Sequence, residues 1–453
     1  MSQIVRFCFL KFPPSVITFN ETFSFSITIC TDLGVICGTR LEELSISISV
    51  IPIKKQIPLS TSKPQRRVNA MGAALPERGV RLSFSEPKSK IQASSLCTVF
   101  KLTGGEGYVE YNFSGALEAS KEIYANFPAF QLKIEIEDSS SKRLAGGLSL
   151  HEIYFLSLYS NPISVSKGNK AIKDHVSPEI DDQTMLGSRR YFDFSYVASP
   201  PSLQGSSMLV LETPFGKDLG SHCWDCAWVG LDFLSRLILA PKELASEKYV
   251  LNFDLANALR DAILDPTSSE MFLELGSGCG LLSLGLASIL NEFNPSFQER
   301  QLPRNQSFNF LLSDLAAVLP SCRRNILANF TIDGLPTTKL KRVAKKINLG
   351  LTELQWEAPL NQDISLNPRV IFAFDVVYND AAHMPLFTVL KNLVRISSKA
   401  ESTYILLGYK QRSQRVEKGF FDLVRPCFSL TRILFHFGIL LLLLKPIPGA
   451  SME

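Results

Sequence analysis

The sequence predicts an α/β domain over residues 206–453, built on a doubly wound parallel sheet. An all-β, sandwich-like domain over 1–150 precedes it, and 151–205 reads as a linker. Three observations carry this expectation. A short apolar run at 271–275 passes through closely spaced glycines into an apolar-periodic helix. After about residue 206, such runs alternate with helical patterns, as a parallel sheet covered on both faces requires. Across residues 1–145, apolar and polar side chains instead alternate with period two.

The length of 453 residues fits two cores better than one. Hydrophobic residues make up 45% and charged ones 20%, the balance of a soluble globular chain, and a net charge of +4 is too small to argue for a nucleic-acid partner. Nine scattered cysteines read as thiols of a cytoplasmic or nuclear protein. The apolar start is interrupted by Arg6 and Lys11 and does not fit a signal peptide. Near the other end, 433–444 is almost wholly apolar, but twelve residues are too few for a helix that needs about 20 to cross a bilayer. A buried hairpin turning near Gly438 is expected there, and no membrane partner.

In the first region, strands are expected at 23–29, 44–50, 80–84, 98–102, 108–113 and 130–136, and an antiparallel sandwich of about seven strands follows from them. The stretch 54–78, rich in basic residues, Pro and Ser, reads as a long exposed loop. In the second region, helices are expected at 228–239, 281–290, 384–394 and 416–424. Strands are expected at 271–275, 308–312, 370–374 and 404–407.

The richest segment is the first of those strands with its turn. Glu274 precedes Gly276, Ser277, Gly278, Cys279 and Gly280, a G-x-G-x-G pattern in which glycines let the backbone approach a ligand closely. A dinucleotide fingerprint wants glycine at 281, where the chain has Leu281. That departure and the preceding carboxylate favour S-adenosylmethionine, whose amino-acid end is cationic, over a pyrophosphate. Asp314 closes the second strand, where a carboxylate accepts ribose hydroxyls; it lies 38 residues beyond Gly276, against about 20 in the usual spacing. A polar insert at 294–307 accounts for the excess. Asp375 and Tyr378 end a later strand, placed to orient a lysine amine that must shed its proton before attacking a methyl group. Trp224 and Trp356 either cover an adenine ring or pack in the core. Cys223 and Cys226 have no second pair at metal spacing, so no metal is expected.

Four blocks, taken in this order, resemble the seven-β-strand protein lysine methyltransferases (lysine methyltransferase family 16). They are Cys223-Trp224-Asp225-Cys226-Ala227; the 273–280 loop; Ser313-Asp314-Leu315 with Val318-Leu319-Pro320 and Arg324-Asn325-Ile326; and Asp375-x-x-Tyr378. Asp375-Val376-Val377-Tyr378-Asn379 and the segment 408–414 are similar to the fungal ribosomal lysine methyltransferases within it. The resemblance implies a Rossmann-like methyltransferase sheet of seven strands, S-adenosylmethionine as cofactor, and a protein acceptor such as a ribosomal protein or a chaperone. It also implies a cofactor site lined by Trp224, Glu274, 276–278, Asp314, Trp356 and Phe374, with Asp375 and Tyr378 facing the lysine. At Phe374 a small residue is usual, so its ring is expected to crowd the adenine. Two alternatives stay open: methylation of a small molecule, or a catalytically silent binding module.

Overall fold

The computed structural model describes residues 3–14, 16–18, 22–30, 43–53, 80–84, 90–93, 97–103, 110–119, 129–136, 142–144, 147–150, 153–166, 188–194, 207–213, 219–265, 270–292, 307–330, 340–360 and 366–450. The expected exposed loop at 54–78 lies outside them, as does nearly all of the insert at 294–307. The chain divides into two compact units. A β unit comprises Gln3–Tyr191 and Leu211–Leu219; an α/β unit comprises Met1–Ser2, Phe192–Val210 and Gly220–Glu453.

The β unit contains a seven-stranded sheet, whose central strands Gln3–Lys11, Thr22–Cys30 and Tyr111–Ala119 lie side by side, and strands of a nine-stranded sheet centred on Glu43–Ile53 and Ala129–Ile136. Period-two burial builds the core between them. Phe23, Phe25, Ile27 and Ile29 from one sheet and Leu44, Ile46, Ile48, Leu132 and Ile134 from the other form a single apolar cluster. The rings of Phe25 and Phe113 stack at 5.3 Å across neighbouring strands. Among the described residues, two pairings depart from the expected antiparallel sandwich: Gln3–Lys11 runs parallel to Ile153–Leu156, and Val16–Thr18 parallel to Ile163–Ser166. The unit also runs past the boundary at 150, because part of the expected linker is strand: Ile153–Leu156, Leu158–Tyr159, Ile163–Ser166 and Ser188–Asp193. Strands of two to six residues are too short to display the alternation that a longer run would show.

The strands of the α/β unit are β1 (Met271–Leu275), β2 (Phe308–Asp314), β3 (Lys341–Ala344), β4 (Ile347–Glu353), β5 (Pro368–Phe374), β6 (Tyr404–Lys410), β7 (Phe428–His436) and β8 (Ile439–Pro446). Its helices are α1 (Asp225–Leu239), α2 (Pro241–Ala245), α3 (Phe253–Leu264), α4 (Leu281–Glu292), α5 (Leu319–Asn329), α6 (His383–Ile396) and α7 (Gln414–Val424). The sheet order is β3-β4-β2-β1-β5-β6-β8-β7. From β4 to β6 all neighbours are parallel, and β8 and β7 close the sheet antiparallel. Seven of these strands match the expected sheet, and the eighth is the short edge strand β3.

Each strand's alternate residues serve different faces. Leu273, Leu275, Ile371, Ala373, Ile405 and Leu407 pack in one apolar cluster with Leu386 and Leu390 of α6 and Phe420 of α7. On α1 and α4 the backbones come close: a Cβ on Gly285 of α4 would lie 2.2 Å from the Leu231 side chain of α1. The run at 433–444 is the expected hairpin, turning through Phe437 and Gly438, both at positive φ. Its leucines are apolar because β8 sits between β6 and β7, where Leu441, Leu443 and Leu444 are buried. Among the described residues, no helix is long and apolar enough to cross a membrane. The chain order reverses between β1 and β5, so the carboxyl ends of these two strands mark the switch point at which ligands bind.

Candidate active site

At that switch point the expected glycines adopt a conformation that L side chains resist. Gly276, Gly278 and Gly280 have φ of 63°, 55° and 78°. The bend is held from both sides. Ser277 donates its N–H to the Ser313 carbonyl (3.0 Å), and Gly278 donates its N–H to Oδ2 of Asp314 (2.7 Å). Oδ1 of Asp314 accepts from the Leu315 N–H (2.8 Å). Asp314 is half-buried and ends β2, the place at which a carboxylate can meet a ribose diol.

The tight places around the loop show why glycine is required. A Cβ on Gly278 would stand 2.9 Å from the backbone carbonyl oxygen of Gly220. At Gly276 it would be 2.9 Å from Val376 and 3.7 Å from the indole of Trp356. Trp356 is therefore brought to the loop as expected, half-buried after β4. The residues present fit an adenosyl cofactor: a bend with glycine at every second position, a carboxylate suited to a diol and an aromatic side chain meet in one place. Leu315 adds an apolar side chain, 52% exposed, next to Asp314. The sequence marks it only as part of the Ser313-Asp314-Leu315 block, because a leucine's exposure is not written there.

Glu274 departs from expectation. Its side chain is buried, and its Oε2 accepts the backbone N–H of Ser283 in the first turn of α4 (3.2 Å). It satisfies a helix start from beneath the loop, where a ligand's amino group was expected. Burial pushes its carboxyl from an ordinary 4.5 up to about 8; the Ser283 bonds oppose that, and the charge of Asp314 adds to it. The acid is thus protonated in the folded protein over a range where the unfolded chain has lost its proton. Stability falls as pH rises from about 4.5 through about 8, the folded state alone holding the proton there. Glu274→Gln keeps an oxygen for Ser283 and cannot ionise. The unfolding midpoints of the two proteins should therefore diverge across that window, the variant losing less on the alkaline side. Parallel midpoints would remove the assignment.

Asp375 is also placed differently from its expected role. It has φ of 55°, an uncommon conformation outside glycine, and this turns its carboxylate back over the end of β5. Oδ2 accepts the Cys226 N–H at the start of α1 (2.9 Å), and Oδ1 pairs with the Arg412 guanidinium (2.8 Å). With its side chain 3% exposed, it binds the helix start and does not face an open mouth. Beside it, the fully buried Asp225 pairs with Lys410 (2.7 Å). The Arg412 guanidinium lies 5.4 Å from the Trp224 ring, which stands edge-on to His222. Glu417 fixes this turn by accepting the N–H groups of Arg412 and Ser413 (2.9 Å each) and the Tyr409 hydroxyl (2.5 Å). Burial and that bond to Glu417 push the Tyr409 hydroxyl up, so it stays a donor.

Two further expectations resolve clearly. The Phe374 ring does not crowd a pocket. Cβ atoms on Gly230 of α1 and Gly408 of β6 would fall 2.1 and 2.2 Å from it, so the ring fills the slot that these two glycines open. Tyr378 is 60% exposed, in the connection between β5 and α6. Lys410, Arg412 and Glu417 were missed as site residues, because nothing local marks a cation whose partner lies at 225 or 375.

Three comparisons bear on this arrangement. Residues 204–426 match the family model described as lysine methyltransferase. A curated relative, ribosomal lysine N-methyltransferase 5 of Eremothecium gossypii, is 30% identical over 145 residues, covering 29% of this chain and 40% of that protein. The chain thus spans about two fifths of the length of the curated relative it matches. Among solved structures, a methyltransferase from Pyrococcus furiosus aligns with 44% of this chain and 87% of its own, at 14% identity and a TM-score of 0.28. The human methyltransferase 10 domain containing protein aligns with 46% and 96%, at 9% identity and a TM-score of 0.25.

Proposed function

Because residues 204–426 match the family model described as lysine methyltransferase, we propose that this chain transfers a methyl group from S-adenosylmethionine to a lysine ε-amine of a protein. The observation that carries the reading is the left-handed glycine bend tied by Gly278 N–H to Asp314, on the family's segment and at the sheet's switch point. The cofactor supplies a methyl group on a sulfonium, ready for direct displacement. The protein's part is position. Asp314 and Trp356 flank the glycine bend; Asp375, Arg412 and Lys410 fix the start of α1, and with it Trp224. Tyr378, exposed after β5, is accessible to an incoming lysine. The name of the relative supports a ribosomal protein as the acceptor, ahead of a chaperone, and a cytoplasmic or nuclear setting accords with that.

Labelled S-adenosylmethionine offered with a cell extract tests the reading directly. Label should enter a protein band, survive nuclease, vanish with protease and be recovered as methyl-lysine. Label in a small molecule or in nucleic acid, or no transfer at all, would overturn it. Two variants separate the roles. Tyr378→Ala should cut transfer about tenfold with S-adenosylhomocysteine affinity unchanged, since its exposed ring serves the acceptor. Asp375→Ala should lower both, because it releases the α1 start that carries Trp224; loss of transfer alone would restore a direct catalytic role.

A further inference from the structure

Cys223 and Cys279 meet in the α/β unit with their sulfurs 2.7 Å apart, both as thiols. A covalent S–S bond is about 2.05 Å, so little movement separates the pair from a bond. Cys279 lies inside the glycine bend, between Gly278 and Gly280, and Cys223 lies just before α1. The backbones that bear them also touch: the Gly220 carbonyl and the His222 carbonyl lie 2.9 and 3.7 Å from where a Gly278 Cβ would stand. The other thiols nearby compete poorly. Burial pushes Cys226 and Cys322 up, which keeps them protonated and unreactive.

We propose that Cys223 and Cys279 form a reversible disulfide, made by a peroxide, that staples the segment 219–226 to the cofactor loop. The step balances with hydrogen peroxide as oxidant. One thiolate sulfur attacks the peroxide; an S–O bond forms, the O–O bond breaks, and the departing hydroxide takes up the thiol proton as water. The second thiol then attacks the sulfenic sulfur, forming the S–S bond and releasing a second water. The sulfurs together give up the two electrons that the peroxide gains. Both residues are at most 3% exposed, so the oxidant enters when the segment parts from the loop, a local opening that would also give a cofactor access to Gly278. The cross-link removes that motion.

The test treats the full chain with hydrogen peroxide, blocks remaining thiols and maps linked peptides by mass. The map is needed because a second pair, Cys8 and Cys30, lies 3.4 Å apart in the β unit. The expected result is a 223–279 linked peptide, two hydrogens lighter than its reduced parts, lost on adding dithiothreitol and absent from Cys223→Ala. Thiols at 223 and 279 that take up the blocking reagent after oxidation would overturn the proposal. A second arm rests on the proposed function. The association rate of S-adenosylhomocysteine should fall at least tenfold on oxidation and recover on reduction, with no response in Cys223→Ala; an unchanged rate on linked protein would overturn the stapling effect. Reduced protein that binds no S-adenosylhomocysteine would sink the methyltransferase reading, while the peptide map would still decide the cross-link.

Discussion

Gly278→Ala should weaken S-adenosylhomocysteine binding by at least about a hundredfold, or about 2.8 kcal/mol at 1.4 kcal/mol per decade. Two costs combine at this position. The first is conformational: at φ of 55° an alanine pays about 1 kcal/mol that glycine does not. The second is steric, and larger in consequence. The new methyl would sit 2.9 Å from the Gly220 carbonyl oxygen, and a backbone atom cannot rotate aside as a side chain does. The loop must shift instead, and the Gly278 N–H that now reaches Asp314 at 2.7 Å moves with it. Gly449→Ala separates the two costs, since Gly449 has φ of 76° and nothing lies within 4 Å of its added Cβ. That variant should lose about 1 kcal/mol of stability and keep full affinity. Titration calorimetry on both proteins, with unfolding curves to confirm that each is folded, decides the matter. Near-equal affinity for Gly278→Ala and the unaltered protein would mean that the bend is not the cofactor seat.

Much of this architecture was legible because burial writes its period into the chain. The strands expected at 23–29, 44–50 and 130–136 appear as Thr22–Cys30, Glu43–Ile53 and Ala129–Ile136, each with one face in the core. The glycine bend was legible for a related reason: left-handed backbone selects one residue type. What stayed hidden depends on partners far away in sequence. Glu274 resembles a ligand contact until Ser283 and its burial are seen. Asp375 resembles a base until its bonds to residues 226 and 412 are known. Phe374 resembles an obstruction, and only Gly230 and Gly408 together show the slot that receives it. Local sequence records the backbone's needs well, but it does not record which side chain will answer a buried charge.

The strongest case of such a hidden answer is Glu212, where Glu212→Ala should destabilise the β unit by about 3–5 kcal/mol. Arg6 interrupts an apolar run, which in the sequence argues against a signal peptide. In the structure its side chain is fully buried in strand Gln3–Lys11, 3.6 Å from Oε1 of Glu212. Arg190, also buried, pairs with Oε2 of the same carboxylate. It donates as well to the carbonyls of Ser157 (3.1 Å) and Phe7 (3.0 Å). One anion therefore serves two buried cations. Removing it takes a counter-charge away from both buried guanidinium groups, and neither can neutralise by losing a proton. Glu212→Gln retains the shape and hydrogen-bond acceptor but not the charge, so it should cost a large part of the same amount. A triple variant, Arg6→Met, Glu212→Gln and Arg190→Met, removes the cations too and should recover most of the loss, apart from the Arg190 hydrogen bonds to the Ser157 and Phe7 carbonyls. Urea unfolding followed by a probe in the β unit measures each step. A cost below about 1 kcal/mol for Glu212→Ala would place the cluster in water rather than in the core. A triple variant no more stable than the single one would assign the loss to packing instead of charge.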